Sequence, residues 1–138
     1  MSGRAGEPGV DTMRVSPRRL SAEDAEAGDI WLADCSARPD LARQVWALEG
    51  LAPIAGGAHW LAAESRLVTG MQALSRIREE RRGPVLADPL LERAWWLVPP
   101  SSAGVLAHIP RVLVQPPGTP LHCPPTGWQA CGRFWLHR

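Results

Sequence analysis

Three proline pairs punctuate the second half of the chain, at 99–100, 116–117 and 124–125. Proline has no N–H to give a strand ladder and does not continue a helix interior, so each pair ends the element before it. The stretches that run into them, "RAWWLVPP", "RVLVQPP" and "PLHCPP", are therefore short strands. The terminal "GRFWLHR" has the same apolar and aromatic character. Between them only "SAGVLAH" has the spacing of a weak helical turn. The residues between the proline pairs do not match one another, so the pattern is not an internal repeat.

Upstream the period changes. "SARPDLARQVWALEG" reads as a helix, with Pro39 in the first turn and Gly50 just past the end. Leu41, Val45 and Leu48 form its apolar stripe, widened by Ala42 and Trp46. "TGMQALSRIREERRG" reads as a second helix over 69–83, with Met71, Leu74 and Ile77 facing inward and Gly83 closing it. "SAED" at 21–24 has the form of a capping box for a short helix. "DIWLADC", 29–35, reads as a buried strand. Gly56-Gly57 reads as a hairpin turn leading to a strand at 58–63, and "GPVLAD" as another strand. The expectation is an α+β domain over residues 20–138, with a mixed, mostly antiparallel sheet of about six strands and two main helices.

With 138 residues, the chain is of single-domain size. Residues 1–19, rich in Gly, Pro, Arg and Ser, lack an apolar face and are expected to be a flexible tail. That segment has no apolar run of signal-peptide type, and no stretch is long enough to span a membrane. Three cysteines without framework spacing then point to free thiols and a cytoplasmic setting. The formal net charge of +1 gives no global pull toward nucleic acid or anionic membrane. Every basic residue is arginine, and lysine, asparagine and tyrosine are all absent. This fits a GC-rich coding bias better than selection for guanidinium chemistry.

Reactive constellations are thin. His122, Cys123, Cys131 and His137 are good zinc-ligand types, but the spacing matches no zinc motif, and neighbours on a strand point to opposite faces. No D-x-D occurs, which is the arrangement that sets two carboxylates on one strand face to hold a metal pair. The serines lack a nucleophile elbow, and "AGGAH" lacks the lysine of a phosphate loop. The expectation is no catalytic set, no resident metal and no cofactor.

Binding is the better prospect. Trp95 and Trp96 are adjacent on a strand and must face opposite sides. Trp96, sharing a face with Ala94 and Val98, is expected to be the core ring, with Trp95 beside Arg93 on the second face. Trp95, Arg93, Trp128 and Trp135, with Arg76, Arg81 and Arg82 from the charged run, are the candidate surface. Tryptophan and arginine together suit both nucleic-acid stacking and protein hot spots. In "SRIREERR", however, the glutamates interleave with the arginines as in a solvated, internally paired face.

The succession "GLAPIAGG", "GMQALSRIREERRGPVLADP", "RAWWLVPPSSAG", "RVLVQPPGTPLHCPP" and "GRFWLHR" resembles short actinobacterial relatives of the bifunctional DNA primase/polymerase N-terminal domain. The resemblance covers roughly residues 28–138 and rests on strand ends and helix punctuation. It implies a primase-like α+β core. Catalytic members carry a D-x-D pair, a histidine and a further acid, and no residue here carries over to those roles. The expectation is a degenerate, non-catalytic binding or regulatory protein. The alternatives are an interaction subunit or homodimer that buries exposed tryptophans, and a nucleotidyl transferase with an atypical acid set.

Overall fold

The computed structural model describes residues 22–137. The proposed tail, 1–19, and the Ser21 of the capping box lie outside the described residues. The architecture is α+β, with every strand pairing antiparallel in two sheets, one of five strands and one of two. Two helices come first, α1 (Ala22–Asp34) and α2 (Pro39–Ala47). Strands β1 (Ala52–Ala55) and β2 (Leu61–Arg66) follow, then α3 (Leu67–Leu74). A hairpin of β3 (Val85–Asp88) and β4 (Arg93–Val98) leads to the single turn α4 (Ala103–Leu106). Strands β5 (Leu113–Val114), β6 (Pro120–Cys123) and β7 (Phe134–His137) complete the chain. No described helix is long and apolar enough to cross a membrane.

The large sheet has the order β5-β2-β4-β3-β7. β4 lies antiparallel between β2 and β3, so those two run parallel to each other and α3 carries the chain across. That crossover covers one face. Leu67, Val85, Ala87, Ala94 and Phe134 form its core, with Met71, Leu74 and Trp96 packed against them. The helix sits close because Gly70 has no side chain: a Cβ there would stand 3.1 Å from the Ala94 Cβ. On the opposite face, Ala62, Leu86, Trp95, Leu97 and Trp135 meet a cover built from several elements. Ile54 and Cys123 come from the β1–β6 pair, while Leu32 and Ala42 come from α1 and α2.

Several expectations change, and on α2 the stripe itself shifts: Leu41 and Leu48 are exposed and Ala42 is the buried member. Residues 29–34 are helical, as part of a thirteen-residue α1, and Cys35 lies in the turn that follows. A short apolar run has no period of its own to separate strand from helix, and the alanine- and glutamate-rich residues before it extend a helix into it. The second helix ends at Leu74, followed by turns and a 3₁₀ turn at Glu79–Arg81. Beyond Leu74 only Ile77 is apolar before Gly83, so a continued helix would have almost nothing to bury. Gly56-Gly57 joins no hairpin. β1 pairs with β6, and the glycines carry the chain from the small sheet to the large one, held by Gly56 N–H to Thr119 O at 3.3 Å and Gly57 N–H to Trp60 O at 2.7 Å. The two rings also exchange roles: Trp95 is 6% exposed in the larger core, and Trp96 is half-buried under α3. The small residues sharing the Trp96 face do receive a helix, but the opposite face receives the thicker cover.

Candidate binding grooves

Register alone brings the first site together. β2 and β4 pair Glu64 with Trp95 and Arg66 with Arg93. Residues two apart share a face, so Glu64, Arg66, Arg93 and Trp95 stand on one side of the sheet. Trp95 lies buried beneath the others. Its indole Nε1–H donates to Glu64 Oε1 at 2.9 Å, and Gln115 Nε2 donates to the same oxygen at 2.8 Å. The other carboxylate oxygen lies 3.5 Å from Arg93 Nε. Glu64 thus has both oxygens engaged by groups from β4 and from the chain just after β5.

Beyond this hub the chain opens. β5 pairs only with Ala63 and Glu64 and does not follow β2 as far as Arg66. Before β5, a turn with Val112 N–H to Ile109 O at 3.4 Å leads the backbone away from β2. Arg111 occupies the left-handed region in this turn, at φ 68°. A non-glycine residue there is uncommon and carries a small conformational cost. The resulting wedge has a volume of about 530 Å³, and Arg66, Arg93 and Arg111 line it with Glu64, Val112 and Leu113. Arg66 also meets Glu92 at 3.1 Å on the exposed rim. Among the described residues, no hydrogen bond or ion pair engages the Arg111 side chain.

A second groove, of about 400 Å³, lies between the C-terminal end of α2 and the loop before β7. Trp46, Pro125 and Trp128 form its apolar wall, with Glu49 and Gln129 at the polar edge. The loop is pinned to α1: Asp29 Oδ1 accepts from the Thr126 N–H and from its hydroxyl, each at 2.7 Å. Trp46 is held by its indole N–H to Cys123 O at 2.9 Å, whereas the Trp128 ring is 77% exposed.

The proposed surface residues are therefore dispersed. Arg93 and Trp95 come together through Glu64, with Trp95 buried beneath the wedge and not an exposed ring. Trp135 is buried in the same core and donates to Pro124 O at 3.1 Å. Trp128 stands apart, in the second groove. Arg76, Arg81 and Arg82 lie on the turns after α3 and line neither groove; Arg82 Nε caps the chain by donating to Ile77 O at 2.8 Å. Arg66 and Arg111 were not singled out from the sequence. The alternation Glu64-x-Arg66 opposite Arg93-x-Trp95 is visible in the text, but the register that joins them is not.

The acids on this side of the sheet hold structure. Asp88 accepts the Leu91 N–H at 3.0 Å and Arg133 Nε at 2.9 Å. Among the described residues, no group of three or more His, Cys, Asp or Glu is placed to hold a metal ion. No known protein family matches the sequence, and no curated protein and no solved structure matches the chain.

Proposed function

We propose that the chain is a non-catalytic binding or regulatory module on a degenerate primase/polymerase-like scaffold, and that the arginine wedge beside β2 is its recognition surface. The observation that carries this reading is the convergence of Arg66, Arg93 and Arg111 in one open groove, with Arg93 held against a Glu64 that Trp95 and Gln115 fix in place. Guanidinium groups present fixed donor forks to carboxylate or phosphate oxygens, and a neighbouring carboxylate locked by hydrogen bonds lowers the cost of ordering them. The acids supply acceptors to neighbouring side chains and backbone, which supports the non-catalytic part.

The second groove favours a second reading, a protein-interaction surface centred on Trp128. An exposed tryptophan on a pinned loop is the residue type most enriched at interface hot spots. Pull-down from nuclease-treated and untreated extract, with wild type, Arg66→Gln, Arg111→Gly and Trp128→Ala as baits, separates the readings. The wedge reading expects the captured species to be lost with the arginine variants and kept by Trp128→Ala. The reverse pattern assigns recognition to the second groove. The non-catalytic part is tested by primer extension with magnesium or manganese, where no incorporation is expected. Template-dependent extension that disappears in Asp88→Asn would contradict it.

A further inference from the structure

Resting on the reading of the wedge as the recognition surface, we infer that its occupant is an extended acidic segment of a partner protein, with an aliphatic side chain seated on Leu113. Charge, surface chemistry and backbone shape each contribute to this assignment.

Charge is the first. Arg66, Arg93 and Arg111 face Glu64, the carboxylate that lines the wedge, and both Glu64 oxygens already have donors. The wedge therefore favours carboxylates, yet its positive charge is local. Arg66 and Arg93 are each shared with a carboxylate, Glu92 and Glu64. A nucleic-acid strand needs a continuous basic track for its phosphates, and the net charge of the whole chain is only +1. A few spaced carboxylates fit this arrangement; a polyphosphate backbone would run against Glu64 and Glu92.

Surface chemistry is the second. Single-stranded nucleic acid is bound by stacking bases on exposed aromatic rings. Among the described residues no aromatic ring lines the wedge, because Trp95 lies beneath it at 6% exposure. What the wedge offers instead is aliphatic: Val112, and Leu113 at 62% exposure. An apolar side chain flanked by acids matches that surface.

Backbone shape is the third. Gln115 N–H donates to Ala62 O at 2.8 Å, so Ala62 turns its backbone groups toward the β5 side. Alternation along the strand turns Glu64 and Arg66 the same way. β5 ends its pairing at Glu64, so among the described residues no strand meets the β5 side of Arg66; its N–H is turned to the wedge, while its carbonyl accepts from the Ser65 hydroxyl at 3.1 Å and caps α3. That N–H gives an extended peptide one backbone contact beside the three guanidinium groups.

The test is fluorescence anisotropy on the full chain. The probes are a labelled peptide of alternating glutamate and threonine with one central leucine, its glutamine-for-glutamate analogue, and a labelled oligothymidylate. The glutamate peptide is expected to bind, to weaken with added salt, and to exceed both other probes. Arg66→Gln and Arg111→Gly are each expected to weaken it by about threefold to tenfold, the range of a partly exposed charge contact. Both side chains are exposed, and glycine suits the left-handed backbone at 111, so the fold is retained. Circular dichroism of each variant checks this. Stronger binding of oligothymidylate with the same arginine dependence overturns the peptide assignment and leaves the wedge as the recognition surface. Binding of no probe, or binding indifferent to both arginine variants, overturns the peptide assignment and the reading beneath it.

Discussion

The Arg133 guanidinium carbon stands 4.5 Å from the centroid of the Trp95 ring, stacked on the residue whose indole N–H fixes Glu64. The same group donates Nε to Asp88 Oδ2 and Nη1 to His122 O, both at 2.9 Å. One side chain thereby joins β3, β4 and β6, linking the large sheet to the small one. Asp88 and Arg133 are both largely removed from water, at 9% and 14% side-chain exposure, so screening is weak. Arg133→Ala would leave Asp88 without its guanidinium and remove the cation–π contact. The expected cost is about 2–4 kcal/mol in urea unfolding. A double-mutant cycle with Asp88→Asn should give a coupling of about 1–3 kcal/mol. A coupling near zero would show that the contact organises nothing.

Trp95 and Trp96 differ in depth, and stability should report it. Trp95→Ala removes a ring from the larger core and leaves Glu64 without its indole donor, at an expected cost of about 3–5 kcal/mol. Trp96 is half-buried at the edge of the α3 layer, so Trp96→Ala should cost about 1–3 kcal/mol. Urea unfolding of the two variants compares them directly; a costlier Trp96→Ala would reverse the assignment of faces.

Alkaline stability should be governed by thiols. The chain has neither lysine nor tyrosine, so cysteine is the only side chain with an ordinary titration between neutral pH and arginine's range. Burial pushes the Cys123 thiol far above its ordinary value of 9.0, and burial also raises Cys35. A thiol raised on folding contributes stability that is complete below the unfolded value and is lost as pH rises through and beyond it. The unfolding free energy should therefore decline above pH 9.0, by about 1.4 kcal/mol per pH unit on account of Cys123, with the more exposed Cys35 adding less. Cys123→Ala should flatten that decline by one thiol's share. In native alkylation, exposed Cys131 should be modified and buried Cys123 protected. An unchanged decline in Cys123→Ala would contradict the assignment.

Much of this fold can be read from punctuation. Pro39 opens α2 and the proline pairs stop β4 and β6, because proline constrains its own backbone whatever surrounds it; the left-handed residue that ends α2 is Glu49, at φ 61°, and not the expected Gly50. The α1 segment was misread because its apolar run is too short to show a period. The charged run after Leu74 was misread because helix propensity there has no core to support it. Trp95 and Trp96 show a different limit: alternation says that the rings part, but the depth of each face depends on which distant elements cover it. The wedge lies further out of reach. Arg66, Arg93 and Arg111 meet through the β2–β4 register and a left-handed turn, neither of which has a local signature.

The proposed recognition surface is the wedge and not Trp128. The most direct measurement is a proton–nitrogen correlation spectrum of the labelled protein during titration with the glutamate–threonine peptide. Indole N–H signals suit the purpose, since Trp95 donates to the Glu64 hub and Trp128 belongs to the other groove. Perturbation is predicted at the Trp95 indole and at the amides of Arg66, Arg93, Arg111, Val112 and Leu113, with the Trp128 and Trp46 indoles unmoved. Shifts gathered at Trp46, Trp128 and Ala130, with the Trp95 indole unmoved, would contradict the account.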